Sequence, residues 1–544
     1  MSVKKSLKQR YLSSAFILLL STVVVKLISA FYKIPLTGFI GAEGRGYFSI
    51  AYNLCMPIHA LTMGAFPLAL TKLVSSYEAK GDYEKIKALR FASKRLFLIV
   101  GVIGLAVMLV FAKPYAELIS SAPKSIYTIL ALAPSVFFCC LGAAHRGFAE
   151  GYLDMKPTAV SQLLEALFKL VFGLLFARYS MSWLYEQYIL KGSVLGMTVS
   201  GEQEALSAIY PLTSAAAMLG VTLGSIAAYL FVMIYTQSKY PVSPVDRKDI
   251  KLAYNELLTF STALIGATVI SSISNFVDTS SIQYCLSLCD ADKLAAIYNY
   301  NGNDVYTYVF GIFATVLDFK NLVPAIVMVL GVTAVPAVST AYENSNGKFS
   351  SLLTSIFKYA VVLSVAGGLI LSVFSKEILS VFYSNSNSDI VDNGSFLLKI
   401  MGIFILPCAL ATVTVYTTQA LGFAKSTIPA FIISCVLRLA INFAFIPDSK
   451  YNVLAAAISN AVGFLVVVVM NLITIRKKTN ARFSCLGIFI KPVICGIITY
   501  VAISYAKLSV SMNLPKLIMM MTFCMLMYLF LLVITCTIRL KSRD

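Results

Sequence analysis

The chain has 544 residues, of which 58% are hydrophobic and only 13% are charged, and its mean hydropathy is +0.82. Soluble globular domains carry about 25% charged residues, so this composition excludes that class. The formal net charge of +19 does not indicate a nucleic-acid partner, because the basic residues are gathered at the ends of apolar stretches.

Apolar blocks of about 20 residues, the length that crosses a hydrocarbon core, follow one another along the chain. They predict an all-α polytopic membrane protein with about fourteen transmembrane helices. In chain order, the predicted helices cover residues 12–34, 47–76, 91–112, 126–148, 157–178, 207–236, 254–280, 304–342, 354–374, 396–418, 427–447, 453–475, 486–506 and 516–538. The connections between them are short, and the longest predicted outer loop, 179–206, is too small to be a catalytic domain.

Clusters of Lys and Arg precede the first predicted helix and recur in even-numbered gaps between helices. They fall within residues 4–10, 80–95, 247–251, 476–482 and 539–543. This pattern is typical of cytoplasmic segments and predicts that both termini are cytoplasmic. Some of these residues are expected to touch lipid headgroups.

Three segments of the first half have counterparts in the second half, in the same order. GAFPLALTKLVSSYEAKGD (64–82) parallels GVTAVPAVSTAYENSNGK (331–348), VFAKPYAELI (110–119) parallels VFSKEILSVF (373–382), and AEGYLDMKPTAV (149–160) parallels ALGFAKSTIPAF (420–431). We therefore predict two pseudo-symmetric six-helix lobes, 1–240 and 250–478, followed by two additional helices within 486–538. Such parallel repeats occur in transporters that alternate between two open states.

Several charged residues fall inside the predicted helices, where a Lys at mid-span costs about 2.5–3.5 kcal/mol. Lys26, His59 and Lys320 form a cationic set with few acids nearby in the sequence, which indicates a cavity that receives an anion. Lys binds phosphate as a point charge, and pyrophosphate is the obvious membrane-borne anion. Lys33, near a helix end, and Arg438 complete the predicted substrate-binding set.

Two acids are candidates for coupling to an ion, Glu165 and Asp278. Glu165 could instead form a structural pair with Lys169, four residues on along the same helix. His145 and Arg146 lie near a predicted inner helix end, where the membrane interface accounts for them. No metal site or other cofactor is predicted from the eleven cysteines and two histidines, and Na⁺, H⁺ and membrane potential all stay open as driving forces.

The segment FIGAEGRGYFSIAYNLCMPIHALTMGAFPLALTKLVSSYEAKGD (39–82) resembles the stage V sporulation protein B group of polysaccharide flippases. That group belongs to the multidrug/oligosaccharidyl-lipid/polysaccharide (MOP) exporter superfamily. The segment is more remotely similar to MurJ-type lipid II flippases, which carry essential cations in the first, second and eighth helices. This resemblance, which covers nearly the whole chain, matches Lys26, His59 and Lys320 to those positions. It implies a MATE/MurJ-like fold in a bacterial plasma membrane.

Three functions are weighed. The first is a flippase for an undecaprenyl-pyrophosphate-linked oligosaccharide, as the resemblance implies, with lipid II or a related cell-wall precursor as substrate. Membrane lipids and cell-wall synthesis proteins would be its partners. The second is a cation-coupled multidrug exporter of the MATE type, which would need buried acids. The third is a membrane enzyme, which is not expected because neither a metal site nor a nucleotide loop is found in the sequence.

Overall fold

The computed structural model describes residues 7–62, 66–199, 201–240, 246–343, 349–481, 486–507 and 513–535. The chain divides into two compact units. The first comprises residues 1–284 and 300–311, and the second comprises residues 285–299 and 312–544. The described residues do not include 4–6, 482 and 539–543 of the predicted basic clusters, 64–65 of the first repeat copy, or 344–348 of the second.

The first unit is built from long helices and one short hairpin. Its helices are α1 (Leu7–Ala60), α2 (Phe66–Lys80), α3 (Tyr83–Pro114), α4 (Ile126–Gly151), α5 (Lys156–Lys191), α6 (Glu202–Lys239) and most of α7 (Arg247–Ser287). Strands β1 (Ser193–Val194) and β2 (Met197–Thr198) pair antiparallel between α5 and α6. The predicted outer loop 179–206 is therefore largely ordered, because α5 continues to Lys191.

A sharp kink divides α1. Gly41 has φ 66° and ψ −178°, a conformation that favours glycine because it has no β-carbon. The kink separates the first predicted transmembrane helix from the start of the second. Asp82, which follows the second predicted transmembrane helix, caps α3 by accepting the backbone N–H of Lys85. That hydrogen bond lowers the pKa of the Asp82 carboxyl.

An apolar cluster joins α2, α3 and α4 with the beginning of α7. Its fully buried members include Leu70, Leu89 and Leu257, which are all 0% exposed. At the same end of these helices, Asp154 accepts hydrogen bonds from Tyr235 at 3.0 Å and Lys239 at 2.6 Å, which ties α6 to the turn before α5.

The second unit contains the remaining helices. They are α8 (Ala291–Tyr298), most of α9 (Val305–Glu343), α10 (Phe349–Val373), α11 (Ser375–Tyr383), α12 (Ser388–Ile403), α13 (Ile405–Ala420), α14 (Thr427–Phe445), α15 (Asn452–Thr479), α16 (Lys491–Lys507) and α17 (Leu514–Ile534). Helices α12 and α13 meet at a 51° bend within the predicted helix 396–418. Pro407 lies in the first turn of α13, where it has no N–H to continue the ladder from α12.

The last two helices pack on the second unit through α10. Phe374, Cys524 and Tyr528 are all 0% exposed in this contact. Lys507 at the end of α16 bonds Glu377 of α11 at 2.7 Å, and it also donates to the carbonyl of Val373 at 2.7 Å. The two helices are thus held by an apolar face and an ion pair.

Among the described residues, eleven helices are long and apolar enough to cross a membrane, and the bent α12–α13 pair makes a twelfth. Each of the fourteen predicted transmembrane helices coincides at least in part with a helix of the structure. The described part of the chain has twelve candidate spans instead of fourteen for two reasons. Residues 20–60 form one helical span across the Gly41 kink, and α7 is not among the candidate spans. The structure is an all-α polytopic membrane protein.

Candidate functional site

Two predicted cations meet on one aromatic ring in the second unit. The Lys320 Nζ lies 6.0 Å from the centroid of Phe464, and the Arg438 guanidinium carbon lies 5.4 Å from it. Lys320 is 5% exposed and Arg438 is 1% exposed. Cations are attracted to the negative face of a ring, and the attraction grows when water is excluded. We call these two cations and Phe464 the ring site.

The helices around the ring site leave space for the long side chain of Arg438. Gly463 leaves room for the stem of Arg438, because a β-carbon there would lie 2.6 Å from both Cγ and Cδ of the arginine. Asn460 precedes Phe464 by four residues on α15 and therefore lies on the same face. Its Oδ1 accepts a hydrogen bond from Lys320 at 2.6 Å. An amide oxygen and a ring face orient a cation without neutralising it.

Further polar groups continue from the ring site along α14 and α15. Cys408 Sγ approaches the Asn460 Oδ1 at 3.6 Å, and the Ser459 hydroxyl donates to the Asn442 Oδ1 at 2.6 Å. Asn442 and Ser459 are both 0% exposed. Polar groups inside membrane helices are expensive and usually mark a functional path. The ring site is therefore part of a polar region within otherwise apolar helices.

A second charged cluster lies in the first unit. Arg146 Nη2 and Glu165 Oε2 form an ion pair at 3.3 Å, and their side chains are 5% and 23% exposed. Lys169 Nζ lies 4.9 Å from the ring centroids of both Tyr32 and Tyr52. Arg146 thus occupies a buried ion pair. The expectation that the membrane interface accounts for Arg146 stays a prediction.

His59, at the end of α1, lies within electrostatic reach of that cluster. Its charged neighbours are Glu165, Arg146 and Lys169. Arg146 also acts on a second acid, Glu150, so this neighbourhood holds charges of both signs. The sequence pattern placed His59 in the cationic set and offered Lys169 as a partner for Glu165. It did not predict the ion pair of Glu165 with Arg146, because these two residues belong to different helices.

Lys26 and Lys33, the predicted substrate residues of the first transmembrane helix, both lie on α1 before the kink. Lys26, in the first half of α1, is exposed, and Lys33 is half-buried nearer the kink. The Thr37 hydroxyl donates to the Lys33 carbonyl at 3.0 Å. Their membership of one substrate site stays a prediction. Among the described residues, no cluster of three or more His, Cys, Asp and Glu side chains could hold a metal ion.

The two predicted ion-coupling acids differ in their surroundings. Glu165 is engaged by Arg146, and Cys139 Sγ lies 3.9 Å from its other oxygen. Asp278, on α7, is 3% exposed, and its backbone carbonyl accepts the Ser281 hydroxyl at 2.7 Å. Coupling through either acid stays a prediction.

Solved structures with the same architecture define the class of fold. A structure of "Lipid II flippase MurJ, inward closed conformation" matches 95% of this chain and 98% of its own, with a TM-score of 0.67 and 14% identity. An inward-facing multidrug resistance MATE family transporter of the MOP superfamily matches 84% of this chain and 98% of its own, with a TM-score of 0.62 and 16% identity. The chain has the fold of the MOP superfamily, as the resemblance in its sequence implied.

The family model described as "Polysaccharide biosynthesis protein" matches residues 11–303. The chain belongs to that family. The stage V sporulation protein B of Bacillus subtilis (strain 168) is 22% identical over 93% of this chain and 91% of its own length. The Lipid II flippase MurJ of the same organism is 21% identical over 88% of this chain and 85% of its own. This multi-pass membrane protein is thus a member of the polysaccharide biosynthesis protein family with a MurJ-like fold.

Proposed function

We propose that the protein is a flippase rather than an enzyme, and that it moves an undecaprenyl-pyrophosphate-linked oligosaccharide across the bacterial plasma membrane. The observation that carries this proposal is the ring site, where Lys320 and Arg438 share Phe464 while buried at 5% and 1% exposure. Two buried cations on one ring create a local positive potential, and an anion of two charges can interact with both.

The pyrophosphate of a polyprenyl carrier is such an anion. Its oxygens can accept from the planar guanidinium of Arg438 and from the ammonium of Lys320 at the same time. The sugar then crosses together with the pyrophosphate, and the polyprenyl chain stays in lipid. The lipid II flippase name of one relative supports a cell-wall precursor as the glycan.

The charged cluster of the first unit bears on the choice between the two kinds of transporter. Arg146 is paired with Glu165 and also acts on Glu150. In a cation exporter of the MATE type, Glu165 would have to release Arg146 before it could bind a drug or a coupling ion. The ion pair therefore favours the flippase over the multidrug exporter.

Native mass spectrometry of the purified full-length protein tests this proposal. We expect a co-purified pyrophosphate lipid whose mass identifies the glycan. Charge-assisted hydrogen bonds contribute about 1.5–3 kcal/mol each, so Lys320→Gln or Arg438→Gln should weaken binding by at least about tenfold.

Lys450→Gln is the matched control, because it removes one exposed positive charge from the second unit without touching the ring site. Equal lipid occupancy in the two ring-site variants and in this control would contradict the proposal. So would saturable binding of a cationic drug by a protein that carries no pyrophosphate lipid.

A further inference from the structure

A carboxyl cluster lies in the first unit, at the junction of α1 with the segment that leads into α9. Its two acids are Glu43, just after the α1 kink, and Asp304, just before α9. Glu43 is 2% exposed, and Tyr47, one turn further along α1, is 0% exposed. Asp304 is half-buried. Two neighbouring acids that are largely withdrawn from water need either a cation or a shared proton, because two adjacent carboxylates repel each other.

Each acid has a defined set of hydrogen-bond partners. Glu43 Oε2 accepts the hydroxyls of Tyr300 at 2.7 Å and Ser207 at 3.0 Å. Asp304 accepts the Thr307 hydroxyl on Oδ2 at 2.7 Å and the Thr307 backbone N–H on Oδ1 at 3.1 Å. With the Tyr47 hydroxyl, three donors reach the Asp304 carboxyl, and such hydrogen bonds favour its ionised form.

Tyr47 connects the two acids. Its Oη lies 3.1 Å from Glu43 Oε1 and 2.9 Å from Asp304 Oδ2. A phenol has one hydrogen, so it can donate to only one of these oxygens. If both carboxyls were ionised, the other contact would place two oxygens at hydrogen-bond distance with no hydrogen between them. One carboxyl must therefore supply the second hydrogen.

We infer that Glu43 holds a proton on Oε1 and donates it to Tyr47, whose own hydroxyl donates to an ionised Asp304, so that one titratable proton ties α1 to the segment that leads into α9. The same junction is closely packed. A β-carbon on Gly46 would overlap the backbone of Thr307, and one on Gly311 would overlap the carbonyl of Ala42. With so little space, loss of the proton leaves the repelling carboxylates no room to separate unless the junction loosens.

The other charged and titratable groups around the cluster do not replace that proton. Lys124, from the turn before α4, donates to the Ser207 carbonyl at 3.1 Å and acts on both acids only at a distance. Arg45 lies over the ring of Phe48, 5.0 Å from its centroid. The Tyr210 ring lies against Gly41, beside the kink. Burial and the nearby Glu43 carboxyl raise the pKa of Tyr300, so this phenol keeps its hydrogen for Glu43.

The sign of the pH dependence follows. The closed junction holds one more proton than the loosened one, so it is favoured at low pH and is lost as the pH rises through the pKa of the shared proton. The proton acts at the N-terminal end of α9, and Lys320 of the ring site lies further along the same helix. By the predicted topology, the junction is on the outer side of the membrane.

Hydrogen exchange of the full-length protein in lipid nanodiscs tests this inference without any substrate. The readout is the protection of the backbone amides of 300–311, corrected for intrinsic exchange, between about pH 5.5 and 8.5. Because loosening releases one proton, protection should fall about tenfold per pH unit above the pKa. Glu43→Gln supplies a permanent N–H donor to Tyr47 and should keep protection high at every pH.

Asp304→Asn is a second variant with the same expectation, because its amide also donates to Tyr47 and leaves the phenol hydrogen for Glu43. Glu150→Gln is the matched control: Glu150 is a half-buried acid that accepts the Thr158 hydroxyl at 2.7 Å, far along α4. It should keep the wild-type slope. A wild-type protection that does not change with pH overturns the inference, and so does an unchanged slope in both amide variants.

Discussion

The Arg146–Glu165 pair allows a structural role and a coupling role to be separated. Removing one partner of a buried pair destabilises a protein by about 3–5 kcal/mol. Glu165 is 23% exposed and Arg146 is 5% exposed, so partial solvation of the acid reduces the expected cost for Glu165→Gln to about 2 kcal/mol. In a unit of this size, that corresponds to a fall in melting temperature of roughly 4 °C.

Two assays on the same purified variant decide between the roles. If the pair is structural, Glu165→Gln lowers the melting temperature while transport per folded molecule stays near wild type. The double variant Arg146→Met/Glu165→Gln should recover much of the stability, since no buried charge is left unpaired. Glu186→Gln, at an exposed position of the same helix, is the control. Lost transport at unchanged stability would refute this reasoning and support ion coupling through Glu165.

Three further predictions concern the second unit. Gly463→Leu should abolish transport and lower the melting temperature, because the leucine side chain would occupy the space of the Arg438 stem. Gly463→Ala should cause a smaller loss of transport and a smaller fall in melting temperature, measured by transport assays and melting curves. Lys507→Met should speed proteolytic release of α16 and α17, seen by timed digestion, because it removes the 2.7 Å ion pair with Glu377. Asp290 caps α8 by accepting the backbone N–H groups of residues 292 and 293, and the Lys293 side chain lowers the pKa of its carboxyl. Hydrogen-exchange protection of α8 should therefore be constant above the pKa that Asp290 has in the unfolded chain, and it should fall as the pH drops through the pKa of the folded protein. Asp290→Ala should show reduced protection at every pH.

Most of the helical architecture could be predicted from the sequence, because apolar blocks of bilayer length must satisfy their backbone groups internally. The exceptions follow from the same physics. Residues 179–191 were predicted to be loop, yet α5 continues through them, since a helix does not have to end where the hydrocarbon ends. The first two predicted helices join at Gly41, because helical hydrogen bonding continues on both sides of one unusual residue.

The candidate site was only partly predictable. Lys320 and Arg438 stand out as charges in apolar blocks, so sequence alone selects them. Phe464 and Asn460 carry no such signal, because an aromatic residue and an amide in a helix are common, and their role arises only where α9, α14 and α15 meet. Glu43 was overlooked for another reason: it lies between two predicted helices, where an acid is ordinarily exposed, and the structure buries it.

The most direct test of the proposed function is a flipping assay in proteoliposomes that contain undecaprenyl-pyrophosphate bearing a labelled sugar. The fraction of head groups that become accessible on the opposite leaflet is measured over time. We predict movement well above protein-free liposomes for the wild type and for Lys450→Gln, and a loss of about tenfold or more for Lys320→Gln and Arg438→Gln. A wild-type rate equal to that of protein-free liposomes, or full activity in both ring-site variants, would contradict the account.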